Sequence, residues 1–117
     1  MSPLTITARD AATGPVIEIV GDLDYDTAPR LREVVDGLTV AAGHLLVLDL
    51  AGLNFCDSSG INALLSARSL TIQQGGHIAL AAVPANTARI LRVVGLDRVF
   101  TIHLDAATAT ATTSATR

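Results

Sequence analysis

The sequence predicts one α/β domain: a mixed, mostly parallel sheet of four to five strands with helices packed on it. Three observations carry that expectation. Strand-like apolar segments take turns with segments of helical spacing, and the links between them are short, as βαβ units require. The first two strand candidates are joined without a helix, which makes them an antiparallel pair at one side. The chain has 117 residues, 50% of them hydrophobic, which is one domain's length with enough apolar mass for its own core.

Each element has its own signal. Leu4 to Ala8 alternates weakly and suits an edge strand. Val16 to Val20 is β-branched, alternating and bounded by Gly14-Pro15 and Gly21, a strand with clear ends. Asp26-Thr27 offers a helix cap, Pro29 falls in the first turn, and Ala28, Leu31, Val34, Val35 and Leu38 form one buried face. Leu45 to Leu50 is a continuous apolar run, the mark of a central strand covered on both sides. A helix is expected from Asp57 to Gln74, with Ile61, Leu64, Leu65 and Ile72 as its stripe and Arg68 snorkelling at the edge or facing a partner. His77 to Ala82 reads as a strand, and Pro84 opens a helix with Thr87, Ile90, Leu91 and Val94 on one face. Gly95 sits at its C-terminal cap with Leu96 closing the motif, and Val99 to His103 is a last short strand. The domain is expected over 1–104. Residues 105–117 should give one helical turn near Asp105 and then a flexible Ala/Thr tail.

Composition narrows the function. A net charge of −3, no basic run and no Lys argue against direct nucleic-acid binding. No apolar stretch approaches the roughly 20 residues that span a bilayer, and no basic region precedes an apolar run at the start. No membrane association and no secretory leader are therefore expected. The single Cys56 excludes an internal disulfide and suits a reducing, cytoplasmic setting. It reads best as a small core group.

In α/β sheets, sites lie where strands pass into helices. Two polar segments fall there: Gly21 to Thr27, and Asn54 to Gly60. In the second, Asp57 is placed to cap a helix, leaving the Ser58 and Ser59 hydroxyls in its first turn beside free N–H groups. A helix cap and nothing more would account for Asp57-Ser58-Ser59-Gly60. The alternative is a modification site: a phosphoryl group on Ser58 would add about −1.5 to −2 charges there. Gly60 carries no side chain to obstruct an approaching active site. Enzyme motifs fit less well. The first glycine of G-x-S-x-G is missing, and without Lys there is no Walker loop. Asp22, Asp24, Asp26 and Glu33 imitate a calcium loop, but Thr27 occupies its glycine position and Pro29 interrupts it. No metal or other cofactor is expected. His44, His77 and His103 are scattered, without metal-ligand spacing.

The stretch from Val47 to Ile61, centred on Asp57-Ser58-Ser59-Gly60, resembles the signature of the STAS domain family, nearest to its bacterial anti-sigma factor antagonists. Gly21-Asp22-Leu23-Asp24 with Thr27-Ala28, Gly75-Gly76 and Val94-Gly95-Leu96 resemble the same family. The resemblance implies a protein, not an enzyme, that binds an anti-sigma factor and releases its sigma factor. It implies that the anti-sigma factor, often a serine kinase, inactivates the antagonist by phosphorylating Ser58, and that a phosphatase reverses this. By the same carry-over Asp24 contributes to kinase docking, and Asp57 and Ser59 are the acceptor's neighbours; Asp22 and Gly60 are expected to join them in binding the partner. Cys56 departs from the family's usual hydrophobic residue. Ala63, Ala67 and Leu70 lie opposite the expected stripe of the Asp57 helix. They form either a small-residue partner surface or a packing face for a neighbouring helix. The chain is expected to be a monomer or weak homodimer. A STAS scaffold subunit of a transporter or signalling complex, indifferent to Ser58, is the competing role, and a small hydrolytic or nucleotide-binding enzyme is the third.

Overall fold

The structure is a computed structural model and describes residues 3–111. Strands β1 (Thr5–Ala11) and β2 (Gly14–Leu23) form an antiparallel hairpin; α1 (Ala28–Asp36) follows. Then come β3 (Leu45–Asp49), β4 (Leu53–Cys56), α2 (Ser58–Gln73), β5 (His77–Ala81) and α3 (Ala85–Val93). A 3-10 turn (Leu96–Arg98), β6 (Thr101–His103) and α4 (Ala106–Thr110) complete the chain. The strand order is β1-β2-β3-β5-β6, parallel from β2 onward, with β4 also pairing to β2.

The continuous apolar run of β3 is explained by burial on both faces: Leu46, Val47 and Leu48 are each 0% exposed. Leu46 and Leu48 join Ile17, Ile19 and Leu80 in the main core beneath the helices. Val47 faces the other way, with Val16 and Ala81, and α4 covers it through Ala106 and Ala109. Asp105 caps α4 by accepting from the Thr108 amide at 2.7 Å, which holds its carboxyl below the usual range. The fraying expected of the tail falls on 112–117, outside the described residues.

Six strands are present among the described residues, one more than expected. The addition is β4. Strand β2 runs past the end of β3: it pairs with β3 through Val16–Glu18, and its last residues, Gly21–Leu23, are left for Leu53–Cys56. The four residues of β4 are buried, exposed, exposed, buried, so they show no period-2 pattern.

Helix α2 also departs from its expected stripe. Ile61 and Leu64 are buried, but so are Ala63, Ala67 and Thr71, while Ile72 is 48% exposed. The helix lies between the sheet and α1 and must bury two faces. Alanines on the second face let α1 approach closely. Ala63 and Ala67, weighed as a partner surface, are therefore corrected to packing residues, 1% and 2% exposed. On α3 only Thr87 and Leu91 are buried, whereas Ile90 and Val94 are exposed. Gly95 follows in the left-handed conformation, φ +81°, and its N–H donates to the Arg92 carbonyl, as a C-terminal cap requires.

Candidate functional site

Strands β2 and β4 end side by side, and this brings the two polar segments together. The Asp57 N–H donates to the Leu23 carbonyl at 3.3 Å, pinning the start of α2 to the end of β2. Asp57 is the N-cap: its carboxylate accepts from the Gly60 N–H at 3.0 Å. Ser58 and Ser59 open the first turn, Ser58 exposed and Ser59 half-buried. Among the described residues the Ser58 hydroxyl makes no hydrogen bond. Its oxygen is open to solvent at the positive end of a 16-residue helix.

Gly60 is required for a reason other than partner access. It is buried, and a Cβ there would lie 2.5 Å from the Leu23 carbonyl oxygen and 2.6 Å from the Cys56 sulfur. The missing side chain lets α2 sit against the strand ends. Cys56 is part of that contact. Burial, and then the charge of Asp57, push its thiol up to about 12, so it is a neutral packing group.

The acidic turn before α1 is organised by Asp24. Its Oδ1 accepts from the Asp26 N–H at 3.0 Å and the Thr27 N–H at 3.1 Å. The Thr27 hydroxyl donates to the Asp22 carbonyl at 2.7 Å and accepts from the Asp24 N–H at 2.9 Å. Thr27 thus serves the turn and does not cap α1 with its side chain, contrary to the capping role expected from its position. Asp22 and Asp24 are both half-buried.

Beside Ser58 runs a groove of about 300 Å³ between the start of α2 and the end of α3, with Cys56, Ile61, Ile90, Val94 and Leu96 in its walls and no Arg or His. Of these, Val94 is 57% exposed, and Phe55 and Val93, each next in sequence to a wall residue, are 53% and 78% exposed. On the other side of α2 a second groove, with Tyr25, Arg32, Ser59 and Asn62 in its lining, separates the acceptor turn from α1. Ser58 stands on a rim of apolar surface that reading the sequence assigned to the core. The available signal was excess: Ile90, Leu91, Val93 and Val94 are too many apolar groups for one face of a short helix.

Residues 5–109 match the STAS domain family. The chain is 32% identical over 97 residues to a Mycobacterium tuberculosis protein named anti-sigma-F factor antagonist RsfB, covering 83% of this chain and 79% of that one. Among solved structures it superposes on an anti-sigma factor antagonist from Mycobacterium paratuberculosis with a TM-score of 0.79 at 24% identity, covering 92% and 94% of the two chains. It also superposes on a sulfate transporter family protein from Wolinella succinogenes, TM-score 0.71 at 20% identity, covering 81% and 80%. These structural likenesses establish the fold.

Proposed function

The chain belongs to the STAS domain family, and on that premise we propose that it is an anti-sigma factor antagonist switched off by phosphorylation of Ser58. It docks an anti-sigma factor through the surface around the start of α2 and so releases the sigma factor held there. The observation that carries this is the position of Ser58: an exposed, unbonded hydroxyl on the rim of an apolar groove.

The physics of the switch is simple. Exposed apolar side chains favour docking by about 25 cal/mol per Å² removed from water. The partner's kinase activity transfers the γ-phosphoryl of ATP to Ser58 Oγ: the P–O bond to ADP breaks, the new P–O bond forms, and the hydroxyl proton leaves to a base of the partner. About −1.5 to −2 charges then stand on the rim, beside Asp57, with no Arg or His in the groove wall to pair with them. The free N–H groups at the start of α2 offset part of that charge, but docking would still have to strip water from the rest, and the complex weakens. A phosphatase restores the hydroxyl by hydrolysis. Asp57, Ser59 and Gly60 hold the acceptor turn in place, and the Asp22 and Asp24 turn supplies an acidic flank for a basic partner. The setting is cytoplasmic and the chain acts as a monomer or weak homodimer. Among the described residues no helix is long and apolar enough to cross a membrane.

The test is incubation of the chain with candidate anti-sigma kinases and ATP, with the phosphate located by mass spectrometry and binding measured for three proteins. Phosphate on Ser58, tight binding by Ser58→Ala and weak binding by Ser58→Asp are expected. If both variants bound an anti-sigma factor as the wild type does, a constitutive scaffold role would replace the switch.

A further inference from the structure

A groove that shares no lining residue with that of Ser58 gathers the Arg and His side chains the first one lacks. It opens where β6 begins. Strand β6 first meets β5 at the pair Ala79 and Thr101, so the start of β5 at His77 has no strand beyond it. Around that uncovered edge Arg68 of α2, His77 of β5, and Thr101 and His103 of β6 line one groove of about 340 Å³, with Ile72 and Val99 among its apolar walls. No Asp or Glu lines it, in a chain whose net charge is −3.

Arg68 is the distinctive member. It is half-buried, and among the described residues it makes no hydrogen bond or ion pair; the ion pair that is present joins Arg9 and Glu18. Half-buried in a groove with no carboxylate in its lining, Arg68 has guanidinium hydrogen-bonding capacity that a ligand entering the groove can use. Its planar fork matches the two oxygens of a phosphate or carboxylate. The imidazoles and the Thr101 hydroxyl add donors, and Ile72 and Val99, 48% and 39% exposed, offer apolar contact. The volume lies at the small end of the roughly 300–1,000 Å³ range of ligand pockets.

From this arrangement we infer that the groove binds a small organic anion, a phosphate or carboxylate head on an apolar body, independently of the state of Ser58. The test is an amide-resolved NMR titration of the full chain with phenyl phosphate, benzoate, inorganic phosphate and benzyl alcohol. Saturable shifts at His77–Ala79 and Thr101–His103 with phenyl phosphate or benzoate are expected, and whichever binds more tightly identifies the head group. Inorganic phosphate should bind the same residues more weakly. Arg68→Ala should weaken binding at least tenfold, Arg68→Lys less so. Should Arg68→Ala fail to fold, His103→Gln must still weaken binding severalfold. The inference is overturned if neither aromatic anion gives saturable shifts there, if Arg68→Ala binds as the wild type does, or if benzyl alcohol binds equally well.

Discussion

Gly60→Ala is the substitution for which helix propensity and packing give opposite signs. In a helix interior, alanine in place of glycine stabilises by about 1 kcal/mol, an upper bound for Gly60 in the first turn of α2. Here the added Cβ would meet three atoms of the strand ends: the Leu23 carbonyl oxygen at 2.5 Å, the Cys56 sulfur at 2.6 Å and Leu23 Cγ at 3.1 Å. The carbonyl belongs to β2 and also accepts the Asp57 N–H, so it cannot yield without loosening the start of α2. Overpacking of this kind costs about 1–3 kcal/mol, and against rigid backbone the upper half of that range applies. The net expectation is a loss of about 1–2 kcal/mol, after the helix gain is subtracted. Urea unfolding followed by far-UV circular dichroism would read it as a lower midpoint with an unchanged slope. Cys56→Ala in the same chain removes one of the three contacts and should recover only part of the loss. A Gly60→Ala protein as stable as the wild type would show that α2 does not rest on the strand ends as described.

Three further outcomes follow from the same region. Asp57→Ala removes the acceptor of the Gly60 N–H and should destabilise by about 1 kcal/mol in thermal or urea unfolding, whereas Asp57→Asn keeps a capping oxygen and should cost less. The fold holds the Cys56 thiol neutral up to about 12, against an ordinary 9.0, so above pH 9 the unfolded chain loses the proton first. Stability should then fall as pH rises from 9 to 12, the slope should flatten in Cys56→Ser, and a disulfide reagent at neutral pH should react with the folded chain only slowly. Ala67→Leu forces extra methylenes into the buried core face of α2 and should cost about 1–3 kcal/mol in unfolding experiments. Weakened partner binding with stability intact would restore that face as a docking surface.

The elements that could be read from the chain were those whose cause is local. The run Leu45 to Leu50 announced a strand buried on both faces, because a side chain's need to leave water is a property of its own chemistry. Asp57 announced a helix start, and Gly95 a helix end, because caps and left-handed turns are satisfied within a few residues. Strand β4 was not visible, because its pairing exists only where β2 outruns β3.

The same division runs through the site. The sequence by itself determined that an acceptor-like Ser58 follows a capping Asp57 between strand and helix, and that an acidic turn lies elsewhere in the chain. Only the tertiary structure decided what surrounds that serine. Packing α2 between the sheet and α1 consumed Ala63 and Ala67, the alanines that a helical wheel leaves on an apparently free face. It left Ile90, Val93 and Val94 uncovered, because α3 buries only Thr87 and Leu91. The physical reason is that a helix with two apolar faces states how much surface must be covered but not by what. A neighbour in the same chain and a partner in solution satisfy that demand equally well, and only the packing of all the elements assigns each face to one or the other.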